Sequence, residues 1–121
     1  MKFRQRVCFI ISWTPENTGT QYTFEIDDNE TFGEVKISAF RIDVKLYRYE
    51  QAEQYERVTQ FGGDIIVRYK DGTEQQVSHM TDGGGGSRGK NYLEYNMYFR
   101  KILDVDTVES IQVGPYLCEL K

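Results

Sequence analysis

Val35-Lys36-Ile37-Ser38-Ala39-Phe40-Arg41-Ile42-Asp43-Val44-Lys45-Leu46 is the stretch on which the fold turns. Apolar and polar residues alternate along it, and a period of two is what a strand with one buried face requires. Val35, Ile37 and Ala39 hold odd positions, whereas Phe40, Ile42, Val44 and Leu46 hold even ones. The phase therefore slips by one residue at Ala39-Phe40. A β-bulge, or a bend carrying the chain from one sheet to the other, would keep both apolar sets inside.

The alternation extends in both directions. Upstream, Val7 to Trp13 reads as a first strand. After a turn rich in Pro15, Asn17 and Gly19, Tyr22, Phe24 and Ile26 alternate with Gln21, Thr23 and Glu25. Downstream, Ile65, Val67 and Tyr69 precede Asp71-Gly72, a pair that tolerates the positive φ of a tight two-residue turn and so predicts an antiparallel hairpin. Leu93, Tyr95, Met97 and Phe99 alternate against Glu94, Asn96 and Tyr98. Ile111 and Val113 lead through Gly114-Pro115 to a last strand with Tyr116, Cys118 and Leu120.

Two stretches break the period. Tyr49, Ala52, Tyr55 and Val58 recur every three residues, which predicts a short helix. Thr81 to Asn91 holds Gly83-Gly84-Gly85-Gly86 and Gly89 and reads as an exposed, mobile loop that folding does not need. Asp106 is placed to cap one helical turn reaching Glu109.

Eight or so short strands separated by turns, in a chain of 121 residues, predict an all-β fold. The expected form is an antiparallel two-sheet β-sandwich, immunoglobulin-like or jelly-roll-like, with one short helix and a single domain over residues 1–121. Phe9, Ile11, Phe24, Ile42, Val44, Val67, Tyr95, Met97, Phe99 and Ile111 are the expected core.

Composition narrows the function. Net charge is −4 and the fifteen Lys and Arg are scattered, so no basic stripe is available to a phosphate backbone and nucleic acid is not an expected partner. No apolar run approaches the roughly 20 residues of a membrane helix, so no transmembrane segment is expected in this chain. The run Val7 to Trp13 is short and ends in Thr14-Pro15, which argues against a signal peptide.

Gly84-Gly85-Gly86-Ser87-Arg88-Gly89-Lys90 satisfies G-x-x-x-x-G-K, but Asn91 stands where a P-loop needs Ser or Thr, and a strand pattern follows where that motif needs a helix. His79 is the sole histidine and no nucleophile elbow is present, so neither catalysis nor a cofactor is expected. Acidic groups at Asp27-Asp28-Asn29-Glu30 and at Asp104, Asp106 and Glu109 lack EF-hand spacing; they read as a solvated turn and a helix cap, with no metal. Arg88 and Lys90 are the candidate ligand-binding residues, able to give charge-assisted contacts to an acidic group. Exposed tyrosines offer a further option, stacking against sugar rings. Cys8 and Cys118 lie near opposite ends of the chain; a disulfide between terminal strands and two buried thiols are both open.

Asp64-Ile65-Ile66-Val67-Arg68-Tyr69-Lys70-Asp71-Gly72-Thr73, followed by Tyr98-Phe99-Arg100-Lys101-Ile102-Leu103-Asp104-Val105-Asp106-Thr107-Val108-Glu109-Ser110-Ile111-Gln112-Val113-Gly114, carries a resemblance. Residues 62 to 114 look like the extracytoplasmic C-terminal β-sandwich domain of bacterial membrane-anchored, anti-sigma-factor-like proteins. The resemblance implies a non-catalytic structural or sensory domain in the cell envelope, outside the cytoplasm. Its implied partner is another envelope protein or a domain of the same parent chain. The matching segments are fold markers, so no functional residue carries over. A carbohydrate- or peptide-binding sandwich is the alternative.

Overall fold

A computed structural model describes residues 6–16, 19–28 and 30–120, with side-chain surroundings from residue 21 onward. The described residues form ten strands: β1 (Arg6–Glu16), β2 (Gly19–Asp28), β3 (Thr31–Ile37), β4 (Arg41–Tyr47), β5 (Ile65–Tyr69), β6 (Glu74–Gln76), β7 (Thr81–Arg88), β8 (Tyr92–Phe99), β9 (Val108–Val113) and β10 (Tyr116–Glu119). Their hydrogen-bonded order is β6-β5-β9-β10-β1-β2-β3-β4-β8-β7. The fold is an all-β, two-sheet sandwich. Neighbouring strands are antiparallel except for β1 and β10, which run parallel.

The passage between sheets falls in β1, not at Ala39-Phe40. Arg6 to Cys8 pair with β10, Phe9 to Glu16 pair with β2, and the register shifts between Ile10 and Ser12. A bulge there bends the strand, as an extra residue on one side of a ladder must. β1 thus closes a five-stranded sheet (β6-β5-β9-β10-β1) and opens a six-stranded one (β1-β2-β3-β4-β8-β7).

Ala39-Phe40 is instead a two-residue hairpin loop, closed by Ser38 N–H donating to the Arg41 carbonyl at 3.0 Å. Residues opposite one another across such a loop differ in parity, so Ile37 faces Ile42 and Val35 faces Val44. The odd-to-even slip is therefore the signature of chain reversal. β2 and β3 obey the same rule, with Phe24 opposite Val35. Phe24, Val35, Val44 and Tyr95 consequently form one cross-strand row, each at most 1% exposed.

That row lies in a core to which both sheets contribute, including Val67, Ile111 and Val113 from the five-stranded sheet. Of the expected core residues, Met97 and Phe99 are only partly buried and pack at its margin; the side chains of Phe9 and Ile11 lie outside the described residues.

The three-residue period from Tyr49 becomes two 3-10 helices, Glu50–Gln54 and Val58–Asp64. Three residues per turn is their pitch, so Tyr49, Ala52 and Tyr55 fall on one buried side. The Gln60 side chain accepts from the Arg57 N–H at 3.1 Å, tying down the start of the second helix. Phe61 is then delivered edge-on to three tyrosine rings, Tyr49 at 6.3 Å, Tyr55 at 5.2 Å and Tyr95 at 6.1 Å. Such edge contacts add about 0.5–1.5 kcal/mol each beyond the area buried.

Three further local expectations need correction. The Asp71-Gly72 hairpin pairs β5 with β6 antiparallel, but its loop has three residues: Gly72 N–H donates to the Tyr69 carbonyl and Tyr69 N–H to the Thr73 carbonyl. Gly72, at φ +92°, supplies the left-handed residue that ends such a loop. Asp104, not Asp106, caps the 3-10 turn Val105–Thr107, its carboxylate accepting from the Asp106 N–H.

The glycine run is a strand. β7 pairs with β8 at Gly84, Gly85 and Gly86, opposite Met97, Asn96 and Tyr95. A Cβ at Gly84 would stand 2.2 Å from the Asn96 carbonyl oxygen, and one at Gly86 would stand 2.1 Å from that of Glu94. Backbones this close admit only glycine, so the composition that reads as flexibility serves close approach.

Candidate ligand surface on the outer sheet face

The odd-even rule that builds the core row also builds its mirror image one residue away. On the solvent side of the six-stranded sheet, Asp27, Phe32, Tyr47 and Tyr92 stand opposite one another across β2, β3, β4 and β8. Beside them run Glu25, Glu34, Lys45 and Glu94, and then Thr23, Lys36, Asp43 and Asn96. Large aromatic side chains are thus interleaved with charge on a face where Phe32 and Tyr47 are exposed and Thr23 is buried.

Phe32 is 46% exposed and Tyr47 38%. Their rings stack at 5.1 Å with 20° between planes, and Tyr47 meets Tyr92 at 5.3 Å and 44°. The three rings stand side by side across the strands, so their faces are turned largely toward one another. Tyr92 donates its hydroxyl to Glu94 at 2.5 Å, and Asn96 Nδ2 donates to the same carboxylate at 3.1 Å. The hydrogen bond to Glu94 pushes the Tyr92 phenol up to about 12, while the bonds from Tyr92 and Asn96 hold Glu94 below its ordinary value.

An open groove of about 540 Å³ runs along this face, with Phe32 and Tyr47 as its aromatic wall and Glu25, Asp27, Glu34 and Lys45 around it. Glu25 lies directly opposite Glu34. Like charges so placed repel, and cross-strand pairs of this kind destabilise a sheet by a few tenths to about 1 kcal/mol. Among the described residues, Lys36 reaches Glu34 at 3.7 Å, while no ion pair reaches Glu25 or Asp27.

At the far end of the same face, Arg41 forks onto Asp43 at 2.9 and 2.6 Å and stacks on the Tyr98 ring at 4.8 Å. Its charge is already satisfied by a bidentate partner. A second groove, about 470 Å³, lies between the sheets' loops, where His79, Arg100, Lys101 and Ile102 meet Tyr69. His79 is exposed, and its carbonyl accepts from Arg100 Nη2.

The two cations singled out from sequence do not belong to either groove. Arg88 pairs with Leu93 in register at the end of β7, stays exposed, and reaches the Glu56 carbonyl with its guanidinium at 3.5 Å. Lys90 sits exposed in the turn between β7 and β8, where Gly89 N–H donates to the Tyr92 carbonyl. The groove residues escaped the sequence reading because they are scattered over three strands. The signal was the spacing between Ile26 and Val35: a two-residue loop there sets Glu25 against Glu34.

Elsewhere, burial pushes the Tyr49, Tyr55 and Tyr95 phenols up, so these hydroxyls stay protonated. Tyr55 donates to Asp64 at 2.5 Å. Cys118 is buried and disulfide-bonded, and the parallel pairing of β1 with β10 places the backbone of Cys8 directly beside it. The chain has two cysteines. No family model, curated protein or solved structure matches this chain.

Proposed function

We propose that the chain is a non-catalytic binding domain working outside the cytoplasm, and that the outer face of its six-stranded sheet receives the ligand. The observation that carries this is the aromatic stripe of exposed Phe32 and Tyr47 and half-buried Tyr92 set among carboxylates on that face. A face with no binding role gains little from exposing stacked aromatics. The protonated buried phenols and the lone, surface histidine fit binding better than acid-base chemistry.

The setting rests on the cysteines and on the resemblance of residues 62 to 114 to envelope domains of membrane-anchored, anti-sigma-factor-like regulators. A disulfide persists where the compartment is oxidising. The domain then serves as the structural or sensory outer part of such a regulator, and its partner is another envelope protein or a segment of the same parent chain.

Between the two ligand classes open to such a sandwich, ring geometry favours peptide over sugar. A sugar stacks on a broad, neutral ring face, whereas stacking on Tyr47 leaves Phe32 only the face turned toward the acidic strand β2, which suits a charged peptide side chain better. A glycan array and a peptide panel, each run beside the Tyr47→Ala variant, test this. Saturable peptide binding lost in the variant is the expected result; binding that survives it places the ligand elsewhere.

A further inference from the structure

We infer that the groove along β2, β3 and β4 is a receptor for a cationic side chain, a lysine or arginine presented by a partner segment; this rests on the outer face being the ligand surface. Three carboxylates, Glu25, Asp27 and Glu34, surround the groove against one basic side chain, Lys45. Glu25 and Glu34 oppose each other directly, and although Lys36 reaches Glu34 at 3.7 Å, no ion pair reaches Glu25 or Asp27 among the described residues, so a positive group seated here would relieve like-charge repulsion.

The aromatic wall is the second feature. Phe32 and Tyr47 line the same groove as the carboxylates. Phe32 stands opposite Asp27 in register, so its outer face, the one not stacked on Tyr47, turns toward the acidic strand β2. A guanidinium or ammonium beside that ring gains cation–π attraction as well as charge pairing. Anionic ligands meet repulsion, and neutral ones leave Glu25 and Asp27 without a counter-charge among the described residues.

A small metal ion fits the chemistry less well than an organic cation. Among the described residues no group of three His, Cys, Asp or Glu side chains converges to hold a metal. The carboxylates are spread along an open face instead, which suits a flat, multidentate guanidinium. Charge complementarity thus selects a basic peptide as occupant.

The test uses a capped tetra-arginine peptide and its tetra-citrulline counterpart, a neutral isostere, titrated into isotopically labelled protein. Tetra-arginine should bind saturably, with amide shifts confined to 25–27, 32–34 and 45–47, and tetra-citrulline should not. Glu34→Gln should weaken binding by about ten-fold, and Lys45→Gln should strengthen it by about two- to five-fold. Phe32→Leu keeps the charge but removes the ring, and should weaken binding by about two- to five-fold. Equal affinity for the two peptides, or no response to Glu34→Gln and Lys45→Gln, overturns the cation assignment. If citrulline peptide or a glycan binds the same strands instead, the ligand face stands and only its charge preference falls. If neither peptide nor glycan shifts these strands, both fall.

Discussion

The two faces of the six-stranded sheet are built from the same strands, one residue apart, and have opposite characters. Inward, Phe24, Val35, Val44 and Tyr95 form a row almost fully removed from water. Outward, the neighbouring row is Glu25, Glu34, Lys45 and Glu94, with Phe32, Tyr47 and Tyr92 beside it. The inner row is what burial demands of any sandwich. The outer row holds opposed carboxylates and exposed rings that burial does not require, and the proposed binding role rests on that surplus.

The contrast is sharpest in stability. Phe61→Ala should cost about 3–5 kcal/mol, because it removes a fully buried ring and three edge contacts at once. Glu25→Gln, on the outer row, should stay within about 0.5 kcal/mol, with any change toward greater stability as the opposed charge is removed. Chemical denaturation of both variants measures the difference. Comparable losses would erase the distinction between the faces.

Deleting Gly84 to Gly86 probes the edge where the two faces meet. The segment supplies three of the pairings that hold β7 to β8, so its removal should cost more than about 1 kcal/mol and open Tyr95 amide exchange. A mobile loop would tolerate the deletion at a smaller cost, since loop closure depends only slowly on length. Hydrogen exchange along β8 distinguishes the two.

The smallest effect is on acid stability. Glu94 is held below its ordinary value chiefly by the Tyr92 hydroxyl, so its folded-state pKa lies under the unfolded one. Its contribution is present above the unfolded value, near 4, and is lost as pH falls through the folded value. Tyr92→Phe should therefore raise the Glu94 titration midpoint, read by carboxyl NMR, and move the acid limb of the stability curve slightly upward.

Much of this was legible in the sequence, and the failures share a cause. The all-β sandwich and most of its core follow from period two. The helical expectation from Tyr49 had the right spacing, because three residues per turn is the 3-10 pitch. What went astray depended on pairing between segments. The slip at Ala39-Phe40 was read within one strand, although parity changes whenever a two-residue loop reverses the chain. The glycine run was read by its backbone entropy, without the β8 carbonyls that require it. Arg88 and Lys90 inherited their candidacy from that loop. Glu25 and Glu34, nine positions apart, become neighbours only once the β2–β3 register is known.

The most direct test of the division between faces is the unfolding free energy and peptide affinity of the Phe32→Ser/Tyr47→Ser double variant, measured beside Phe24→Ala. Both double-variant residues are large aromatics, so a sheet that used its outer rings for folding would suffer from losing them. The expected result is cooperative unfolding with a loss well below the roughly 3–5 kcal/mol of Phe24→Ala, together with tetra-arginine binding weakened by more than the about two- to five-fold of Phe32→Leu. A double variant that unfolds as readily as Phe24→Ala, or that folds and still binds the peptide with unchanged affinity, would contradict the assignment of the outer face to ligand.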